Sequence, residues 1–273
     1  MARFKNFNGS GKAILATTAQ QLQFTGNDLP GGAPGSATNA FHFTMTGTNT
    51  FARLTRIRVK SNGNLIYDID PTHYRAWLER FSPANNALAT TAARFSIYFS
   101  LLDIEDEDAA DLCAFPMGTI PTVELVTDAG TGAGVIYGGW TSSTITPQWY
   151  PVLLGQGMNI PASSSKQSYP LQEAGSVRGI SLPTVGVDQA RLTLNGFDWI
   201  QSAGAAYLNV ATGDMLLEGE FYDDPETITN PAWLRMPMIP AGNGTSRWEL
   251  STQAGWAGTS AETTVWGIRN QGA

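Results

Sequence analysis

One short string occurs twice in this chain, and the distance between its copies limits what the chain can fold into. Residues 123–130 read Val-Glu-Leu-Val-Thr-Asp-Ala-Gly, and residues 248–255 read Trp-Glu-Leu-Ser-Thr-Gln-Ala-Gly, an offset of 125 residues (248 − 123). A second pair precedes each copy in the same order. Arg58-Val59-Lys60-Ser61-Asn62-Gly63 matches Arg191-Leu192-Thr193-Leu194-Asn195-Gly196 at an offset of 133 (191 − 58). All four are strand-like runs that end in turn residues, and Asn-Gly is the strongest short hairpin signal. Solenoid repeats are far shorter than this period. The spacing therefore predicts two related β domains in tandem. Asn62-Gly63 and Asn195-Gly196 should fill equivalent hairpins, and Glu124 and Glu249 equivalent strand positions.

Length agrees. A chain of 273 residues is long for one domain and natural for two of about 130. The division is placed at residues 1–140, with a basic N-terminal arm, and 141–273, which begin with a linker.

The remaining strand signals repeat this rhythm. Phe41 to Met45, Leu54 to Lys60 and Arg94 to Phe99 alternate apolar and polar residues, the period of a half-buried strand. Val123 to Thr127 and Val135 to Tyr137 follow. In the second half come Ile180 to Leu182, Ala190 to Leu194, Met215 to Tyr222, Trp248 to Thr252 and Thr263 to Ile268. Short strands separated by Gly, Pro, Asn and Ser indicate an all-β fold, a sandwich or jelly roll in each half. One helix interrupts them. Asp70 suits the N-cap, Pro71 the first turn, and Tyr74, Trp77, Leu78 and Phe81 form one apolar stripe before Pro83. The matching region of the second half, 197–210, is weaker because of Gly204. The Pro/Ser/Gly-rich stretch 141–170 reads as a linker plus the first strand of the second domain.

Only 14% of the residues are charged, against roughly 25% in ordinary domains. Two readings fit: a compact chain with a Ser/Thr-rich surface, or a surface largely covered by neighbours, since charge is depleted at interface cores. The net charge of −7 leaves no basic footprint for nucleic acid, and no sequence-specific nucleic-acid partner is expected. Arg3, Lys5 and Lys12 nevertheless precede the first acid, Asp28, so the N-terminal stretch is either a solvated terminus or a tail for an anionic surface. Cys113 is the one cysteine, so no intrachain disulfide forms and the fold needs no oxidising compartment. Ala13-Ile14-Leu15-Ala16, the one early apolar run, is too short for a signal-peptide core, and no segment is long enough for a membrane-spanning helix.

No catalytic constellation stands out, and no enzymatic role is expected. His42 and His73 lack the spacing of a zinc site, and neither His-Glu-x-x-His nor Gly-x-Ser-x-Gly occurs. Gly130 to Gly134 lacks the Lys-Ser/Thr of a P-loop and reads as a β-turn or bulge. Cys113 follows acids, which disfavour a reactive thiolate. The dense polar cluster is Asp103, Glu105, Asp106, Glu107, Asp108 and Asp111, with a smaller one at Asp223, Asp224 and Glu226. Crowded carboxylates suit calcium, although a solvated acidic loop is the plainer reading, and a facing glycosidase pair is conceivable. Candidate metal ligands are Asp106, Asp108, Asp223 and Asp224. Eight tryptophans could build a sugar platform, but spread this evenly they more often fill cores and interfaces.

In order, the chain shows a short basic start (Met1 to Phe4), a strand–Asn-Gly hairpin followed by a helix (Arg56 to Phe81), and an aromatic strand with a long loop (Phe95 to Asp111). Phe115-Pro116-Met117-Gly118-Thr119 then leads into Val123-Glu124-Leu125, and a second copy ends in Thr264-Val265-Trp266-Gly267. This arrangement resembles the double jelly-roll major capsid proteins of tailless, membrane-containing icosahedral bacteriophages, the corticovirus type. The resemblance implies two eight-stranded jelly rolls per chain. It also implies homotrimers of pseudo-hexagonal outline that tile an icosahedral virion shell over an internal lipid membrane, with other virion proteins as partners and assembly in a bacterial cytoplasm. It allows bound calcium, and it would place Arg3, Lys5 and Lys12 towards the membrane. The residues alone leave a carbohydrate-binding or glycan-active β-sandwich as the alternative.

Overall fold

The structure is a computed structural model and describes residues 4–29, 37–82, 88–160, 166–171, 175–182, 187–194, 196–201, 232–239, 246–252 and 259–271. The chain forms two compact units, Met1–Leu153 with Ile268–Ala273, and Leu154–Gly267.

Eight strands build the first barrel: β1 (Phe4–Ile14), β2 (Gln20–Phe24), β3 (Ala37–Met45), β4 (Leu54–Ser61), β5 (Asn64–Ile69), β6 (Arg94–Tyr98), β7 (Pro121–Thr127) and β8 (Gly134–Ser143). They lie in two sheets of order β1-β8-β3-β6 and β2-β7-β4-β5, the strand arrangement of a jelly roll. The next eight are β9 (Trp149–Ile160), β10 (Lys166–Pro170), β11 (Ser176–Leu182), β12 (Val187–Leu194), β13 (Phe197–Gln201), β14 (Ala232–Ile239), β15 (Arg247–Thr252) and β16 (Thr259–Asn270). Their orders are β9-β16-β11-β14 and β10-β15-β12-β13. Adding eight to each label of the first barrel gives the second. The repeat in the sequence is thus a repeat of topology, strand for strand, and the fold is all-β with two tandem jelly rolls.

The hairpins are equivalent as well. In the first barrel Ser61 pairs with Asn64, and the two residues between them turn through positive φ, 47° at Asn62 and 85° at Gly63. That is the backbone a two-residue I′ hairpin needs, and Asn and Gly adopt it at least cost. In the second barrel Leu194 pairs with Phe197 and Gly196 has φ 82°; Asn195 lies outside the described residues. Glu124 and Glu249 also correspond: β7 sets Glu124 opposite Arg58, and β15 sets Glu249 opposite Arg191.

The predicted helix spans α1 (Pro71–Phe81). Asp70 caps it, its carboxylate accepting from the Thr72 amide at 2.7 Å. Tyr74, Trp77, Leu78 and Phe81 are all buried, so the stripe is the face that packs. The Tyr74 hydroxyl donates to the Ser96 carbonyl at 2.8 Å and accepts from the Tyr98 amide at 3.1 Å. It thereby covers polar backbone along β6, an edge strand of its sheet. Between the sheets of the first barrel, Phe41, Phe99 and Phe115 meet with ring centroids 5.0–5.4 Å apart, while Phe43 touches Phe24 at 5.1 Å and Phe95 at 5.2 Å. These offset and edge contacts are the favoured geometries of buried rings.

Two stretches differ from expectation. The 141–170 stretch carries two strands, β9 and β10, rather than a linker and one strand, and β9 accommodates Pro151. The basic N-terminal stretch is, from Phe4 onward, the edge strand β1 paired with β8, not a free tail. Residues 202–231, with the expected strand Met215 to Tyr222, lie outside the described residues, as does most of 197–210.

Candidate functional site

The acidic segment after β6 contains a short helix, α2 (Glu107–Ala110). Asp106 caps it, one carboxylate oxygen accepting from the Asp108 amide at 2.9 Å and the Ala109 amide at 3.2 Å. That oxygen is committed to the fold. Asp108 is exposed in the first turn of α2, where the helix dipole favours a carboxylate. Asp111 ends the turn and is buried. The Leu101 amide donates to the Ala110 carbonyl at 3.1 Å and closes the loop on itself, while the Phe99 amide at its start donates to the Asn39 carbonyl of β3 at 2.7 Å. Among the described residues no three His, Cys, Asp or Glu side chains converge on one point. Asp223 and Asp224 lie outside the described residues, so the two acidic segments cannot be compared.

Of the basic residues, Arg3 lies outside the described residues. Lys5 sits opposite Thr141 in the β1–β8 ladder. Lys12 points its ammonium at Asp28, 3.1 Å away, and 5.9 Å above the Phe24 ring. It therefore ties β1 to the turn after β2 while staying about a third exposed. The imidazole of His42 lies between the hydroxyls of Ser96 (2.7 Å) and Thr141, spanning β6, β3 and β8. Cys113 is buried and reduced. The glycine-rich run 130–134 is the β7–β8 turn, opened by the Asp128 carboxylate accepting from the Gly130 amide at 2.8 Å. Trp77, Trp233 and Trp266 are buried, so these three fill cores and offer no sugar platform.

One polar assembly on the first barrel was only half legible in the sequence. On the sheet β2-β7-β4-β5, Glu124 is 5% exposed. It receives Lys60 at 2.5 Å and Arg58 at 4.0 Å. Arg58 and Arg56 also reach Asp68 on β5, at 3.2 and 2.5 Å. A carboxylate–cation–carboxylate ladder so crosses three strands. In the second barrel Glu249 receives Arg191 at 3.5 Å and Arg247 at 3.2 Å. The alternation of Arg56, Arg58 and Lys60 was the visible signal. A feature without any such signal is Gln271. Its amide donates to the carbonyls of Trp149 (2.9 Å) and Ala114 (3.3 Å) and accepts from the Met117 amide at 3.0 Å. It fastens the chain after β16 to the 114–117 segment of the first unit.

Burial raises the hydroxyl pKa of Tyr67 and of Tyr74 well above the usual tyrosine value. The Tyr67 hydroxyl donates to the Tyr98 carbonyl at 2.6 Å. Both hydroxyls bond to backbone of the β6 segment and hold structure.

These surfaces and the two barrels define a double jelly-roll protein without a recognisable catalytic centre among the described residues. No family model matches the chain, and no curated protein matches it by sequence. Solved structures do match its fold over the whole length. The major capsid protein P2 of bacteriophage PM2 superposes with a TM-score of 0.67 at 13% identity, covering 100% of both chains. The STIV major capsid protein gives 0.58 at 10% identity, covering 98% of this chain and 96% of its own. PBCV-1 VP54 gives 0.56 at 10% identity, covering 98% and 93%. At these identities the likeness is one of fold.

Proposed function

We propose that this chain is a major capsid protein, whose copies assemble as homotrimers into the icosahedral shell of a virion. The observation that carries the reading is the strand-for-strand duplication, shared along the full chain with proteins that are themselves major capsid proteins. A single barrel would carry far less weight, because jelly rolls serve many functions. The physical logic supports it. Two barrels of like topology per chain and three chains per ring give a tile with near-sixfold outline, which closes by cyclic symmetry. The low charge content suits extensive contacts between copies. A structural role follows in place of an enzymatic one.

In the finer reading the shell overlies a lipid membrane, with Arg3, Lys5 and Lys12 towards it, and other virion proteins complete it. Calcium bridging Asp106, Asp108, Asp223 and Asp224 between copies would relieve carboxylate repulsion. Chelator added to purified particles tests this: release of folded subunits supports it, and intact particles free of calcium by elemental analysis overturn it.

Native mass measurement tests the assembly reading. The chain weighs 29.2 kDa, so a trimer weighs about 88 kDa (3 × 29.2). A stable species of that mass supports the proposal. A monomer at every concentration, with no particles formed, contradicts it.

A further inference from the structure

We propose that Gln271 is a latch on the first jelly roll. It locks the 114–117 segment, which carries the core residue Phe115, and it does so only once β16 of the second jelly roll is in place. The latch sets an order of folding, because the first barrel is closed by a residue that follows the second in sequence.

Phe115 shows what the segment contributes. It is 1% exposed, and its ring lies 5.4 Å from that of Phe41 and 5.3 Å from that of Phe99. Yet residues 114–117 belong to no strand or helix, so no ladder satisfies their backbone. Each amide there needs a partner from elsewhere. Pro116 has no N–H to place. The Ala114 amide donates to the Trp149 carbonyl at 3.0 Å and the Phe115 amide to the Thr38 carbonyl at 2.9 Å. The Met117 amide donates to the side-chain oxygen of Gln271 at 3.0 Å.

Gln271 works on both sides of Phe115. Its side-chain nitrogen donates to the Ala114 carbonyl at 3.3 Å and to the Trp149 carbonyl at 2.9 Å. Its backbone amide donates to the Gln148 carbonyl at 2.8 Å. A carboxamide supplies an acceptor and two donors from one side chain. A carboxylate of the same length would lack the donors, and a methionine would lack both. Part of the junction stands without Gln271: the amides of Gln148 and Trp149 donate to the Leu112 carbonyl at 2.8 and 3.1 Å. Gln271 adds the hold beyond Phe115, at Met117.

Sequence order gives the latch its consequence. Residues Ile268–Ala273 belong to the first unit although they follow the second. Gln271 directly follows β16 (Thr259–Asn270), which pairs within the sheet β9-β16-β11-β14, and is placed when that strand is. It lies 154 residues beyond Met117. At about 5–20 residues per second, synthesis of that stretch takes roughly 8–30 s, far longer than the microseconds in which loops and hairpins close. During that time the segment docks through Ala114 and Phe115, while the Met117 amide stays open to water.

Hydrogen exchange on the full chain, resolved to single amides, tests the latch. Gln271→Met keeps the length of the side chain and removes its three bonds. Exchange at the Met117 amide should rise about tenfold, the scale of one lost hydrogen bond, with β16 changed much less. Unchanged exchange at Met117 would overturn the latch. So would a loss in β16 as large as that at Met117, because Gln271 would then anchor its own strand and not the segment. Pulse labelling during refolding of the unaltered chain tests the order without any substitution. Met117 should gain protection in the same phase as β16. Protection of Met117 ahead of β16 would overturn the proposed order.

Discussion

The two barrels share their strand order and their Arg–Glu pair and differ in what surrounds that pair. Around Glu124 stand Arg58 and Lys60, with Arg56 and Asp68 extending the ladder over three strands. Around Glu249 stand Arg191 from the facing strand and Arg247 from its own. Each carboxylate faces a cation on the neighbouring strand, but Lys60 stands on that same facing strand, whereas Arg247 stands on the strand of Glu249 itself. Topology and one cross-strand contact are common to the two copies; the surrounding charge is not. This is what physics expects of a duplicated β domain. Backbone ladders and the apolar alternation fix the topology, and many side-chain sets on the outer face satisfy one buried charge.

The sharpest way to break the comparison is at α1, which covers the region between β5 and β6 in the first barrel. Trp77 is 1% exposed, so Trp77→Ala should cost about 3–5 kcal/mol, read as a lower urea midpoint. Amide protection should fall first in β4 to β6 and last in β12 to β15. Uniform loss over both barrels would show that they do not behave as separate packing units.

A smaller effect is expected at Tyr74. Tyr74→Phe strips partners from the Ser96 carbonyl and the Tyr98 amide, at about 1–3 kcal/mol for buried groups left unsatisfied. The same hydroxyl makes a pH prediction. Burial raises the pKa of Tyr67 and Tyr74 in the folded chain, so folding favours their neutral forms. Their contribution is complete below the unfolded tyrosine value of about 10 and is lost as pH climbs past it towards the folded values. Denaturant midpoints between neutral pH and strongly alkaline pH should fall on the alkaline side, and the fall should shrink when both tyrosines are Phe. A midpoint flat through that range would reject it.

Equivalence of the hairpins is tested by matched substitutions. Gly63 and Gly196 have φ of 85° and 82°, and a Cβ at either would meet no atom within 4 Å. Gly63→Ala and Gly196→Ala should each cost about 1–2 kcal/mol from backbone strain alone. Similar values sharpen the equivalence; a neutral result at one of them breaks it.

The smallest effect concerns Arg3 and Lys5. Replacing both by Gln should weaken binding to vesicles of anionic lipid by about 1 kcal/mol per residue at low salt, with stability unchanged. Binding that does not depend on these residues, or on salt, would remove the membrane-facing reading. Deleting residues 1–12 would be a poor test, because it removes most of strand β1.

Much of the architecture was legible where local chemistry determines it. Asn62-Gly63 announced its turn, and Asp70-Pro71 with the stripe Tyr74 to Phe81 announced the helix. The runs Phe41 to Met45 and Leu54 to Lys60 alternate because one face is buried. Other strands left no such trace. β1 contains Asn6, Asn8, Gly9 and Gly11, and its pairing with β8 shifts register between Phe7 and Gly11. β9 contains Pro151, Gly155 and Gly157, which read as loop. Both are held by neighbours rather than by their own propensity. The outer-face ladder was half visible: Arg58 and Glu124 were marked by repetition, whereas Asp68 joins only once β5 folds back on β4. Gln271, 157 residues from Ala114, could not be placed by any local signal.

Cryo-electron microscopy of the purified oligomer, at a resolution that separates β-barrels, tests the central claim most directly. The account predicts a ring of three chains in which each contributes two jelly rolls of the same strand order, giving six barrels of similar outline. A ring with one barrel per chain, a different number of chains, or two halves that fail to superpose with Glu124 on Glu249 would contradict it.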